Sequence, residues 1–268
     1  MERLTIAGGL SVAHGGDPAG LPLVLVHGAM DRGTAFLRTT RRLGDLGWWT
    51  YDRRGYGRSP VEVAPGVDEH VDDLLAVVEL ATGGGARPAV VVGHSLGGVL
   101  ALTVAERRPD RVGAVAVYEA PLSWLDWWPR RGPAGGPLED DPPERAAERF
   151  MRRVAGDDAW EALPAPTRRR RLEEGRTLVA ELDGLRRGAP FDASRICVPA
   201  VVGRGSRADR YRRRAADLLV EQLPDAVLVV LDHAGHGAHL GHPEAFAGFV
   251  RTAVERARSP EQPSSVGP

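Results

Sequence analysis

The run Ala89-Val90-Val91-Val92-Gly93-His94-Ser95-Leu96-Gly97-Gly98 carries an abrupt change of pattern. Four small or β-branched apolar residues give way to Gly-His-Ser-Leu-Gly, and an Ala/Val/Leu-rich helical spacing follows from Val99 to Glu106. This is a buried strand, a sharp turn and a helix. Gly93 and Gly97 suit a turn so tight that a Cβ at either position would strike the neighbouring strand or helix, and Ser95 between them must take a strained backbone. The serine hydroxyl then stands at the carboxyl end of a strand. The backbone N–H groups of Ser95 and Leu96, at the start of the helix, point toward any negative charge that develops there. A turn of this kind is a nucleophile elbow, and it calls for partners elsewhere in the chain.

Outward from this turn, strands and helices alternate. Leu4–Ile6 and Leu10–Ala13, split by Gly8-Gly9, make an opening hairpin. Leu21–Val26 is a continuous apolar strand of the type buried on both faces, and it ends at His27-Gly28-Ala29-Met30. A helix is expected over Thr34–Leu46, a strand over Trp48–Tyr51, a polar loop over Asp52–Pro60, and an acid-headed helix over Val67–Thr82. After the elbow comes the strand Val112–Tyr118. This alternation implies right-handed crossovers and a parallel sheet covered on both faces, with catalytic groups at the carboxyl ends of strands.

The alternation stops between Pro121 and Pro190. Trp124-Leu125-Asp126-Trp127-Trp128 leads into a Pro/Gly-rich stretch, Pro129–Pro143, and then into arginine-rich helical patterns at Glu144–Ala155 and Pro166–Arg187. The segment is read as a helical insertion over the carboxyl edge of the sheet. The sheet resumes with Val198–Val202, a helix over Arg207–Gln222, the strand Val227–Leu231, a histidine-rich loop and a last helix over Pro243–Ala257. The expected organisation is therefore a core of residues 1–120 and 191–258, a cap of residues 121–190, and a disordered tail of residues 259–268.

At 268 residues and 43% hydrophobic content the chain can bury a sizeable core, and a net charge of −1 gives no reason to expect nucleic acid or an anionic membrane as partner. All 35 basic residues are arginine, the bias of a high-GC bacterial genome. The single cysteine, Cys197, rules out an internal disulfide and is expected in the core. No apolar run opens the chain as a signal peptide would, and none reaches the roughly 18 residues of a membrane span, so a cytoplasmic enzyme, monomeric or homodimeric, is expected.

A serine nucleophile needs a general base. Of eight histidines, His27 and His94 flank glycines at strand ends and suit loop bracing, while His14 and His70 carry no partner signal. His233, His236, His239 and His242 share one loop, a spacing that would suit a metal only with a completing carboxylate or cysteine pattern, and none is present. His236, in Ala234-Gly235-His236 just after the last strand, is the better candidate. The tryptophans Trp124, Trp127, Trp128 and Trp160 either line an apolar pocket over Ser95 or form the insertion's own core. Arg168–Arg171 is read as a solvated helix face, and Asp52 and Arg53 as an ion-paired brace for the elbow loops.

Together, the strand leading to His27-Gly28, the loop Asp52-Arg53-Arg54-Gly55-Tyr56-Gly57-Arg58-Ser59, the elbow Gly93–Gly97, and Gly235-His236 before Pro243-Glu244-Ala245-Phe246 resemble the α/β-hydrolase fold family. The resemblance runs from about Leu4 to Arg258 apart from the insertion. It implies a mostly parallel eight-stranded sheet with helices on both faces and a helical cap after strand 6, with Ser95 as nucleophile and His236 as base. The N–H groups of Leu96 and Ala29 would form the oxyanion hole, with Met30 beside it, and no cofactor or metal is called for.

The third triad member departs from the family's commonest pattern, because Gly203-Arg204-Gly205-Ser206 has a serine where an aspartate is usual. Glu119, at the end of the strand after the elbow, is the first candidate acid, and Asp209 the alternative. The implied activity is a serine hydrolase of a small-molecule ester, lactone or thioester through an acyl-enzyme. Two other readings remain at this point: the same fold doing perhydrolase/haloperoxidase-like or C–C cleaving chemistry, and a non-catalytic ligand-binding homologue. The absence of an aspartate nucleophile counts against dehalogenase and epoxide-hydrolase chemistry.

Overall fold

The computed structural model describes residues 1–84, 87–129 and 142–258. The expected tail over 259–268 and most of the Pro/Gly-rich stretch between Pro129 and Pro143 lie outside these residues. Among the described residues, one eight-stranded sheet has the order β1-β2-β4-β3-β5-β6-β7-β8. The strands are β1 (Glu2–Ile6), β2 (Leu10–Gly16), β3 (Pro22–Val26), β4 (Gly47–Tyr51), β5 (Ala89–His94), β6 (Val112–Tyr118), β7 (Ala200–Gly205) and β8 (Ala226–Leu231). β2 pairs antiparallel with β1 and β4, and every other pairing is parallel.

The strands' alternation divides the core into two layers, since successive side chains leave opposite faces of a sheet. Val24, Val26, Val91, Val115, Val117 and Val202 join a cluster with α2 (Val67–Ala81), α3 (Leu96–Arg107) and α8 (Arg210–Gln222). Leu23, Leu25, Val90, Val92, Ala114, Ala116 and Val201 join the opposite cluster with Phe36, Phe246 and Phe249. Those phenylalanines bring in the short helical stretch around α1 (Leu37–Thr40) and the long C-terminal helix Pro243–Arg258. Between β6 and β7 lie α4 (Pro143–Ala155), α5 (Asp157–Glu161), α6 (Ala165–Glu173) and α7 (Gly175–Arg187). The last two helices are α9 (Ala238–Gly241) and α10 (Pro243–Arg258).

Three expectations are corrected. The helix expected over Thr34–Leu46 is a 3₁₀ turn, Gly33–Phe36, followed by the single turn of α1. The threonine hydroxyls compete for backbone carbonyls there, Thr40 Oγ1 bonding Leu37 O at 3.3 Å. The pattern Pro166–Arg187 is two helices that part at Gly175, where a Cβ would stand 2.0 Å from Pro143 O of α4. Cys197 is exposed, its thiol near Arg195 O at 3.5 Å. No helix among the described residues is long and apolar enough to cross a membrane.

Gly248 is an exposed helical glycine in α10 with no atom near the position a Cβ would take. Gly248→Ala is therefore expected to stabilise the fold by about 0.5–1 kcal/mol, because alanine loses less backbone entropy in a helix. Urea denaturation checks this, and a midpoint at or below that of the wild type refutes it.

Candidate active site

Four non-glycine residues have positive φ among the described residues: Met30 (57°), Ser95 (54°), Glu119 (48°) and His233 (55°). Each follows the carboxyl end of a strand, β3, β5, β6 or β8. Such conformations cost free energy and persist only where the surroundings over-determine them. At Ser95 the determinants are visible. A Cβ at Gly93 would come within 2.2 Å of Gly97 O, and one at Gly97 within 2.3 Å of Val26 O. β5, α3 and β3 thus approach one another backbone to backbone, and the chain can only turn by placing Ser95 at positive φ.

The N–H of Ser95 donates to Tyr118 O at 2.8 Å, so of the two elbow donors expected from the sequence this one is engaged by the sheet. Leu96 is the first residue of α3, and its N–H has no carbonyl partner within the helix. Ala29 and Met30 sit in the loop after β3. A Cβ at Gly28 in that loop would be 2.9 Å from Ser95 Cβ and 3.2 Å from His94 Nδ1. The two loops therefore touch.

The structure brings His236 and Glu119 together: Nδ1 of the ring lies 2.8 Å from Glu119 Oε2. Glu119 Oε1 accepts the Gly205 N–H at 3.0 Å, and Arg212 Nε lies 3.4 Å from Oε2. Burial pushes the Glu119 carboxyl upward, with the Gly205 N–H and the Arg212 cation pulling the other way. His236 is held well below the usual histidine range, by burial first and then by Arg212 and His239. Two contacts fix its loop: His94 Nε2 donates to His236 O at 2.8 Å, and Tyr118 Oη donates to Gly235 O at 2.9 Å.

Asp209 is engaged elsewhere. Its Oδ1 accepts from Tyr211 N and Arg212 N at 3.0 and 2.9 Å, capping α8, and Oδ2 pairs with the Arg212 guanidinium. Ser206, at the family's usual acid position, accepts the His233 N–H through Oγ at 2.9 Å.

Asp31, His94 and His239 form a cluster that sequence reasoning missed, their possible ligand atoms within 4.8 Å of one another. His239 Nε2 and Asp31 Oδ2 satisfy each other at 2.9 Å, and His94 Nε2 is committed to the His236 carbonyl. The three groups read as a brace beneath the site, and no metal is assigned to them.

The expected brace of Asp52 and Arg53 takes a different form. Asp52 accepts backbone N–H groups from Gly33 and Arg58 at 2.9 and 3.0 Å. Arg53, fully buried, pairs with Glu181 of α7 and donates to His27 O and Gly28 O at 3.0 and 3.1 Å. Tyr56 Oη donates to Glu181 Oε2 at 2.8 Å, and His70 Nε2 lies 2.7 Å from Oε1. Arg171, expected on a solvated face, instead turns inward and donates to Met30 O.

Met30 is buried with Tyr56, Ala147 and Leu178, against Phe150, Met151 and Leu182. The tryptophans pack elsewhere. Trp124 meets Phe191 edge-on at 5.5 Å, Trp127 lies 4.5 Å beneath the Arg214 guanidinium, and Trp128 faces Tyr211 at 6.4 Å, all on the α3/α8 side of the core. Trp160 is buried in α5.

The Alpha/beta hydrolase family profile matches residues 23–249. The chain belongs to the alpha/beta hydrolase family. Among relatives, it is 30% identical to the pimeloyl-[acyl-carrier protein] methyl ester esterase of Chromobacterium violaceum, over 88% of this chain and 94% of that one. Lipase LipV of Mycobacterium tuberculosis is 35% identical over 103 residues, 38% of each chain. A thermophilic esterase from Thermogutta terrifontis superposes with TM-score 0.69 at 21% identity, covering 96% of this chain and 99% of that one. An alpha/beta hydrolase from Sphaerobacter thermophilus gives 0.69 at 24% identity, covering 92% and 99%. The fold and the relatives make this protein a hydrolase.

Arg53 and Glu181 stabilise this hydrolase's loops as a fully buried pair. Burial, the largest single influence, would raise Glu181, but Arg53 and His70 together outweigh it and hold the carboxyl at about 2. A depressed carboxyl contributes stability above its unfolded pKa and loses it as pH falls through the folded one. Glu181→Gln strands a buried cation and is expected to cost about 3–5 kcal/mol at pH 7. Chemical denaturation at pH 7 and at pH 3 checks this: the wild-type advantage should be large at the first and smaller at the second, and equal stability at pH 7 refutes it.

Proposed function

We propose that this hydrolase cleaves a small-molecule carboxylic ester, or a lactone or thioester, through a Ser95-His236-Glu119 triad and an acyl-enzyme. The observation that carries the reading is the 2.8 Å contact between His236 Nδ1 and the buried Glu119 carboxylate, in a loop held by a hydrogen bond from His94, the residue beside Ser95. The contact fixes the tautomer: Nδ1 donates to Glu119, leaving Nε2 unprotonated to act as base.

Ser95 Oγ attacks the acyl carbon as His236 Nε2 takes its proton, and the carbonyl oxygen becomes an oxyanion. The N–H groups of Leu96 and Ala29 receive that charge, each worth on the order of 3 kcal/mol in the transition state. His236 returns the proton to the leaving alkoxide or thiolate. Water then enters, His236 takes a proton from it, and the second tetrahedral intermediate collapses to the free acid and Ser95. The Glu119 carboxylate keeps the imidazole oriented and stabilises the imidazolium in both halves. Met30, with Phe150 and Met151 from α4, offers an apolar wall for the acyl chain, a lining carried by α4 and α7 as a cap over the site.

The esterase relatives support the ester class. The haloperoxidase-like, C–C cleaving and non-catalytic readings have no observation of their own.

Fluorophosphonate labelling at pH 8 with peptide mass spectrometry tests the proposal. Wild type is expected to label at Ser95, Ser95→Ala not at all, and Glu119→Gln about a thousandfold more slowly. Asp209→Asn, which keeps an amide oxygen for the helix cap, should slow by less than about tenfold. A wild type inert at Ser95 while a known serine esterase reacts overturns the reading, and a collapse confined to Asp209→Asn moves the acid.

A further inference from the structure

We propose that Arg212, anchored by Asp209, is a positioning residue for the triad: its guanidinium sits against the Glu119 oxygen that faces His236 and extends Ser95 activation to acidic pH. The inference rests on the triad reading of the preceding subsection.

Arg212 approaches the acid from a different element than any other partner. Glu119 stands at the end of β6 and receives the His236 ring on Oε2 and the Gly205 N–H on Oε1. Arg212, in the first turn of α8, sets Nε 3.4 Å from Oε2, the same oxygen that faces the imidazole. Its other arm is bound by Asp209 Oδ2, three residues earlier, while Asp209 Oδ1 caps the helix. The guanidinium is thus held at both ends, and only about a fifth of its side chain is exposed.

The consequences follow from charge. A carboxylate buried in a sheet end tends to take up a proton, and a protonated Glu119 could not stabilise an imidazolium. A fixed cation beside Oε2 opposes that. The same cation repels an imidazolium at His236, so the ring gives up its proton at lower pH. The other groups facing this ring are His94 from β5, His239 from α9, Asp31 from the loop after β3, and Asp209, which caps α8; Arg204 of β7 faces Glu119 and pairs with Asp217 at 3.8 Å. From the helices between β6 and β7, Arg153 of α4 feels Arg212 as a like charge. Arg212 is the only one of these within ion-pair distance of Glu119 besides His236 among the described residues.

The pH dependence of kcat/KM on a p-nitrophenyl ester tests this in wild type, Arg212→Gln and Arg212→Lys. A base active when neutral gives a rate that falls with acid, so losing the cation should move the acid limb upward. Arg212→Gln is expected to lose roughly tenfold more activity at pH 5.5 than at pH 8, mostly in kcat, and Arg212→Lys should restore most of that ratio. Equal losses at both pH values, or a lysine variant indistinguishable from glutamine, overturn the proposal. Fluorophosphonate labelling of the wild type separates the two layers: if Ser95 labels and the limb does not move, only the role of Arg212 falls, whereas an inert Ser95 removes the triad itself.

Discussion

β3, β5 and α3 meet backbone to backbone at Gly93 and Gly97, where a single added carbon would collide with carbonyl oxygens at 2.2 and 2.3 Å. That steric contact lets the chain leave the sheet and enter a helix in one residue, and Ser95 bears the strain at φ 54°. The same condition repeats around the carboxyl edge. Met30 and Glu119 also carry positive φ, the first in the loop after β3 and the second immediately after β6. Strain of this kind costs about 1–3 kcal/mol per residue. Two continuous apolar layers, one on each face of the sheet, hold the strands firmly enough to sustain it.

Charge organises the layer above. Net charge is near zero, yet the site is ringed by guanidinium groups that are turned inward. Arg53 gathers two carbonyls of the loop after β3 and the Glu181 carboxylate of α7 into one buried network, with Tyr56 and His70 completing it. Arg32 pairs with Glu174, and Arg171 reaches Met30 O, so α6 and the start of α7 are tied to the loop after β3 at several points. An ammonium could not fill Arg53's place, since one planar group there makes bonds in three directions.

The strand-and-helix alternation, the elbow and the histidine loop were legible because each is written in local spacing: a run of valines buried on both faces, glycines two residues from a serine, Gly-His after a strand. What was not legible depends on residues far apart in the chain. Arg53 and Glu181 are separated by 128 positions, Arg32 and Glu174 by 142, and Asp31 and His239 by 208. No periodicity links such pairs, so Asp52 and Arg53 looked like an ion-paired brace, and Arg171 like one of four solvated arginines. The tryptophans were ambiguous for a related reason. An aromatic cluster beside an insertion reads equally as pocket or core, and Phe191 and Tyr211, which receive Trp124 and Trp128, lie beyond the insertion.

In the proposed triad the carboxylate comes from β6 instead of the loop after β7, neighbouring strands that lie about 4.8 Å apart. Glutamate's extra methylene and a positive φ at Glu119 together turn the side chain across that spacing, and Gly205 N–H on β7 receives it. Ser206 Oγ accepts the His233 N–H and joins the loop after β7 to the histidine loop. α8 begins shortly after Ser206, and its first turn brings Arg212 to the Glu119 carboxylate. Moving the acid to a strand end buried on both faces leaves it with less water than a loop aspartate would have, and that loss of solvation is what a neighbouring guanidinium offsets.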